Sequence, residues 1–359
     1  MGSAGTFHLA KRGRKVVGFD RFSPPHSLGS SHGQTRIIRE AYFEHPAYVP
    51  LVQRAYELWA ELERESDRQL LLPTGGLMIG RPNSSMVTGA LRSAEEHRLP
   101  FQLLSSDQVR QRHPALRPAE DMVGVWEPRA GILFPEKCVE THLALAGRFG
   151  AELHFDEGVE SWHAEAGSIR VDTSRGRYHA RRLILAAGPW AKSLLPNPGL
   201  PLSVERQVQC WFEPKQNAGS FQPEACPVHL WEHEPGRFFY GFPDLGEGAK
   251  VALHHGGRAT EPDTLDREVG AADVEAMRQV VRRCLPDADG RLRSALVCPY
   301  TNTPDGHFLI DSPPGLPQVL VASPCSGHGF KFSSAIGEAL ADWVEGKTQR
   351  SDLRLFVWR

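Results

Sequence analysis

Gly2-Ser3-Ala4-Gly5-Thr6-Phe7-His8-Leu9-Ala10-Lys11-Arg12-Gly13-Arg14-Lys15-Val16-Val17-Gly18-Phe19-Asp20 is the stretch on which the fold turns. Ala4, Phe7, Leu9 and Ala10 put small and apolar positions over Gly2 to Arg12, which predicts a helix, and Gly13 is the residue that ends one. Lys15 to Asp20 is then a short apolar run closing on an acid, the pattern of a strand in a parallel sheet. Helix, strand and acid are three parts of a dinucleotide-binding unit, in which the acid meets a ribose hydroxyl. Gly2, 18 positions before Asp20, fits the third glycine of Gly-x-Gly-x-x-Gly, where the missing side chain lets helix and strand pack closely. The preceding strand and first two glycines would fall before Met1. The start is therefore expected to be misplaced or truncated, and a chain beginning here is expected to hold its nucleotide poorly. On these residues alone an ordinary helix–strand unit fits equally well.

Outward from this unit the alternation continues. A Pro/Ser/Gly/His-rich loop spans Ser23 to Gln34. Leu51, Ala55, Leu58 and Leu62 recur at helical spacing over Tyr48 to Glu65. Strands are predicted at Gly75–Ile79, Gly124–Trp126, Glu152–Phe155, Ser168–Thr173 and Arg182–Ala187. Helices are predicted at Ser85–His97, Pro135–Arg148 and Ala271–Cys284. Leu200 to Leu253 is richer in β-branched and aromatic residues broken by Pro and Gly turns, which predicts a second, antiparallel sheet. The end returns to α/β order: a strand at Val319–Ala322, a Gly-rich turn, and a helix from Phe332 to Val344 stopped by Gly346. The pattern implies an α/β chain of two domains sharing the sequence in interleaved segments.

Composition narrows the function. Of 359 residues, 41 Lys and Arg stand against 43 Asp and Glu, so no charge excess points to nucleic acid or an acidic membrane surface. No apolar run approaches the ~20 residues of a membrane span. There is no charged-then-apolar leader, so a cytoplasmic protein is expected. The six cysteines (Cys138, Cys210, Cys226, Cys284, Cys298, Cys325) show neither CxxC nor Cys/His metal spacing, so neither a disulfide framework nor a metal site is expected.

Three strings are unusual: Pro24-Pro25-His26-Ser27-Leu28-Gly29-Ser30-Ser31-His32-Gly33-Gln34-Thr35-Arg36-Ile37-Ile38-Arg39, Tyr300-Thr301-Asn302-Thr303-Pro304-Asp305, and Ser326-Gly327-His328-Gly329-Phe330-Lys331-Phe332. In this order they closely resemble the monomeric sarcosine oxidase family, which includes N-methyltryptophan and pipecolate oxidases. The resemblance runs from Met1 to the C-terminus. It implies a Rossmann-like FAD-binding domain (1–75, 133–203 and 290–359) interleaved with an α+β substrate domain carrying a mixed antiparallel sheet (76–132 and 204–289). It implies an oxidase that turns an N-methyl amino acid, O2 and water into the amino acid, formaldehyde and hydrogen peroxide. Sarcosine is the default substrate; N-methyltryptophan and cyclic amino acids such as pipecolate or proline are alternatives. A monomer is expected, without the peroxisomal Ser-Lys-Leu ending.

The same resemblance assigns residues. Cys298 matches the cysteine bonded to the flavin 8α carbon, a bond that needs a thiolate near positive charge; Cys325 is its rival. Arg39 and Lys331 match the cations that hold the substrate carboxylate. Arg36 and His32, with Gly33 and Thr35 beside them, match residues against the flavin ring, and Gly188 and Trp190 the second flavin-contacting strand end. Gly327, His328 and Gly329 bring backbone close to the ring, ahead of a helix N-terminus that favours negative charge there. Lys250 matches a lysine that stabilises superoxide as it forms. His254, four residues on, is expected to face the same way if the segment is a strand. Tyr240 and Tyr300 match the aromatic walls of the substrate pocket. The Tyr240–Lys250 spacing is one residue shorter than in sarcosine-preferring members, which leaves the preferred substrate open. Two other classes remain compatible: a nicotinamide-dependent reductase and a flavin-poor binding protein.

Overall fold

The computed structural model describes residues 1–195, 202–347 and 352–357. The opening helix is Gly2–Lys11, and Gly13 takes the left-handed φ of +72° that ends it. It packs on the helices Pro135–Arg148 and Ser333–Glu345. Close approach is set by Gly337, where a Cβ would lie 2.6 Å from Ala4 Cβ. A Cβ on Gly2 would meet Ala186 Cβ at 3.7 Å, an ordinary contact. The tight glycine of this layer is therefore Gly337, in a helix far along the chain, not Gly2 as expected. Ser333–Glu345 is buried for most of its length, so its carboxylates need partners: Glu338 accepts from Arg54, and Asp342 from Arg12.

Parallel pairing appears as expected near the nucleotide unit. Val17–Phe19 pairs with Glu152–His154, and Leu183–Leu185 with Val319–Ser323. The strand expected over Arg182–Ala187 stops at Leu185, because Gly188-Pro189 starts a 3-10 turn over Gly188–Leu194.

A mixed sheet of nine strands forms the second layer. Its order is Arg258–Thr260, Ser203–Phe212, Ala249–His254, Arg237–Asp244, Val228–Glu234, Gly76–Gly80, Val123–Glu127 and Gln102–Ser105, with Leu292–Asn302 also paired to Ser203–Phe212. Only Gly76–Gly80 and Val228–Glu234 run parallel among these pairs. Leu292–Asn302, which carries Cys298 and Tyr300, thus belongs to this large sheet by hydrogen bonding: Gln207 pairs with Cys298 and Glu205 with Tyr300. A boundary at residue 290 cuts the chain at the edge of that strand.

Candidate active site

A cavity of about 1960 Å³ is lined by both layers, well above the roughly 300–1,000 Å³ of a small-ligand pocket. At one end the strand Val319–Ser323 leads into a turn where Ser326 and Gly327 take left-handed φ values of +58° and +77°. A side chain on Gly327 would strike the Tyr300 ring and His254; one on Gly329 would strike the Pro324 carbonyl. The glycines let the turn fold against that wall and set Lys331 inside. Trp59 Nε1 donates to the Lys331 carbonyl at 3.0 Å, anchoring the turn to the helix Val49–Ser66.

Lys331 is buried on the cavity wall. Its Nζ donates to the His328 carbonyl at 2.6 Å and to Tyr42 Oη at 3.3 Å. Burial lowers its pKa to about 7, with Arg39 and Arg36 acting in the same direction and Glu44 opposing. Arg39 also lines the cavity, but its Nη2 donates to both Glu44 oxygens at 2.7 and 2.8 Å and its Nη1 to the Ala41 carbonyl. Burial works against its charge, and Glu44, Tyr42 and Glu127 together more than offset that. The two expected carboxylate-binding cations are therefore unequal: Arg39 already faces an internal carboxylate. Tyr300 Oη donates to Tyr240 Oη at 3.3 Å, and the His254 ring lies 5.7 Å from Tyr300 and 6.2 Å from Tyr240. Burial first, with the neighbouring Lys331 and Arg39 cations acting the same way, holds His254 well below the usual histidine range.

Lys250 and His254 do lie on one strand and face. Lys250 Nζ is 4.8 Å from the Phe242 ring, and Phe242 neighbours Tyr240 beside His254. The Lys250 amine donates to Gly33 O at 2.6 Å, Thr35 O at 3.1 Å and Thr35 Oγ1 at 3.0 Å. Burial first, then Arg36, lowers its pKa well below the lysine range. Gly33 has φ +93°, and a Cβ there would strike Gln209 Oε1. His32 is buried with both ring nitrogens unpartnered among the described residues, and burial lowers its pKa to about 3.

Cys298 lines the cavity and is buried, with Sγ 3.7 Å from Arg36 Nη2 and 3.8 Å from the Ser30 carbonyl. Burial pushes its thiol up, while Arg36, Lys250 and Arg267 pull it down. The expected positive surroundings are present, working against desolvation. Cys325 lies on the wall too; burial raises its thiol, and the hydroxyls of Ser323 and Ser326 oppose that.

The FAD dependent oxidoreductase family matches residues 1–343. The chain belongs to that family. It is 44% identical to monomeric sarcosine oxidase of Streptomyces avermitilis, over 99% of this chain and 94% of that protein. It is 34% identical to N-methyl-L-tryptophan oxidase of Salmonella heidelberg, over 99% and 95%. Among solved structures, NikD, an amino acid oxidase of nikkomycin biosynthesis, superposes with a TM-score of 0.85 at 22% identity, covering 99% of this chain and 94% of that one. Family and relatives together make this a flavin-dependent amine oxidase. No helix among the described residues is long and apolar enough to cross a membrane.

The cavity fits FAD. Asp20 lies on its wall, with Oδ1 accepting the Phe22 N–H, and Gly2 is nearby. Gly188 and Trp190 line the same region, where Trp190 Nε1 donates to Asp263. Thr301 Oγ1 is also buried on the wall, with no partner among the described residues. Sequence reasoning missed Tyr42 and Glu44. The signal was modest: they follow Arg39 by three and five positions in Arg39-Glu40-Ala41-Tyr42-Phe43-Glu44. It also missed Glu127, whose buried carboxylate accepts the Glu40 and Ala41 N–H groups and is raised by burial to about 7.

Proposed function

We propose that this chain oxidises the C–N bond of a small N-methyl or cyclic secondary amino acid, with FAD tethered to Cys298. When bound, FAD would supply the two-electron acceptor, and O2 would take those electrons on and leave as hydrogen peroxide. The observation that carries the reading is Lys331: a buried amine on the wall of the cavity, held by His328 and Tyr42, that shares its lining with Tyr240, Tyr300 and His254. Such a pair suits an amino acid, with the carboxylate at the cation and the amine side against the aromatic wall. Lys331 and Arg39 hold the carboxylate, Arg39 exchanging Glu44 for it. The positive charges of Arg36, Arg39 and Lys331 disfavour an ammonium group nearby, so the amine loses its proton before oxidation. Neutral His254 adds no charge and accepts or donates one hydrogen bond at the amine.

Cys298, flanked by Arg36, would hold the flavin through a thioether, and the segment His32, Gly33, Thr35 and Arg36 would support its ring. Gly327, His328 and Gly329 would bring backbone close to the ring, Gly188 and Trp190 would form the second flavin-contacting strand end, and Gly2 and Asp20 would serve the nucleotide half. Segments 1–75, 133–203 and 290–359 carry the cofactor and 76–132 and 204–289 cover the substrate. Lys250 serves oxygen through its charge, since its donors are engaged by Gly33 and Thr35. The enzyme is read as a cytoplasmic monomer. Sarcosine is the first substrate to try, because relatives named for it are the more similar. The test is peroxide and formaldehyde release from sarcosine, N-methyltryptophan, pipecolate and proline. Sarcosine turnover with equal peroxide and formaldehyde is expected; no peroxide from any of the four would overturn the reading.

A further inference from the structure

We infer that Tyr42 and His328 form a polarity-locked relay that keeps Lys331 charged and aimed at the substrate carboxylate. The inference rests on the carboxylate reading of Lys331 given above. It begins at the Gly306 carbonyl, which can only accept. His328 Nε2 lies 3.0 Å from it, so that nitrogen carries the proton. Burial lowers the His328 pKa to about 4, so the ring is neutral and Nδ1 presents a lone pair. Tyr42 Oη sits 2.6 Å from Nδ1, and its phenol stays protonated because burial raises its pKa well above the ordinary value. The hydroxyl proton therefore points at His328, and the oxygen turns a lone pair to Lys331 Nζ, 3.3 Å away. A backbone carbonyl thus fixes the direction of every hydrogen bond up to the amine. Two of the three ammonium protons go to His328 O and Tyr42 Oη, and the third remains for a ligand.

Tyr42 is a positioning residue here: it touches Lys331, not the reacting atoms. The groups facing Lys331 are Arg39, Tyr42 and Glu44 from one loop, Arg36 from the strand before it, His254 from the large sheet and His328 from its own turn. Arg39 stays charged through the neutral range and His254 and His328 stay neutral. Lys331, near 7, is the group whose ionisation falls within it. Removing the Tyr42 acceptor destabilises the ammonium form and moves this ionisation to lower pH.

The test uses the flavin-loaded enzyme, acetate as an unreactive carboxylate, and titration calorimetry from about pH 6 to 9. In wild type, acetate affinity should weaken as pH rises through the Lys331 ionisation. Tyr42→Phe should move that midpoint down by about one unit, and weaken acetate roughly tenfold above it. The difference should shrink below it. His328→Ala removes the ring acceptor and leaves the Tyr42 hydroxyl only the longer bond to the residue 328 carbonyl, at 3.4 Å. It should shift the midpoint in the same direction, by less, and decides the matter if Tyr42→Phe does not fold. Tyr48→Phe, which stacks on Tyr42 but bonds His307, should leave the midpoint in place. Unchanged midpoints in Tyr42→Phe and His328→Ala, with Lys331→Met still abolishing the pH dependence, would overturn the relay alone. Acetate affinity indifferent to Lys331→Met would overturn the carboxylate site, and the relay with it.

Discussion

Two buried lysines stand in opposite relation to this cavity: Lys331 lines it and Lys250 does not. Lys250 is 2% exposed and Lys331 5% exposed, and burial lowers the pKa of both. Lys250 donates to three acceptors of one loop, Gly33 O, Thr35 O and Thr35 Oγ1, and lies over the Trp211 and Phe242 rings. Lys331 has two acceptors, one of them a hydroxyl whose direction is set elsewhere, and lies on the cavity wall. A buried ammonium that has filled its hydrogen bonds acts at a distance, by its field. One with a donor left over acts by contact. The sequence shows two lysines in two strings; the difference in their work lies in the acceptors.

The division can be broken by substitution. Lys250→Met keeps the stem and removes the charge. Reoxidation of reduced flavin by O2 should slow by about a hundredfold, the usual scale for losing one preorganised electrostatic group, while anaerobic reduction by substrate changes much less. Stopped-flow absorbance of the two half-reactions separates them, and an equal fall in both would merge the two roles. Lys331→Met should weaken acetate by roughly one to two decades, the worth of a charged hydrogen bond, and leave reoxidation near wild type; Lys250→Met should leave acetate binding alone. In wild type the sign of the pH effect on anion binding follows from Lys331. Lys331, lowered to about 7, is charged below that value and neutral above it, so anion affinity should be steady below pH 7 and fall by up to about tenfold per unit above it. Calorimetry that shows affinity rising with pH would remove Lys331 from the carboxylate. The smallest effect belongs to Thr35→Val, which takes one of three acceptors from Lys250. Reoxidation should slow by roughly threefold to tenfold, with acetate affinity unchanged.

Regular elements were legible where local rules coincide. Pro135–Arg148 starts with proline at its first position, and Ala271–Cys284 and Ser168–Thr173 follow plain periods of 3.6 and 2; all three form with the expected bounds. Ser106–Arg112 was invisible because seven residues carry too little periodicity, although Ser105 and Gln108 form a capping box. Three strings and a family resemblance pointed to Arg36, Arg39, Tyr240, His254, Cys298, Tyr300 and Lys331, which line the cavity, and to His32, Gly33, Thr35 and Lys250, which do not; they could name Arg39 but not its partner. Glu44 reaches Arg39 through a loop, and loops have no period to read. Gly337 was overlooked for a related reason: its role depends on a helix more than 300 residues earlier in the chain, and only packing brings Ala4 to it. The same holds for the bonds from Lys250 to Gly33 and Thr35.

The two lysines can divide the work only if the flavin is held between the strand of Cys298 and the turn of Lys331. Cys298 lines the cavity beside Arg36, while Cys325 lies beside the Lys331 turn without a cation at its sulfur among its described hydrogen bonds. Mass spectrometry of tryptic peptides from acid-precipitated protein tests this placement most directly. A yellow precipitate is expected, with the FAD mass on the peptide containing Cys298, lost in Cys298→Ser and kept in Cys325→Ser. A colourless precipitate, or the FAD mass on the Cys325 peptide, would contradict it.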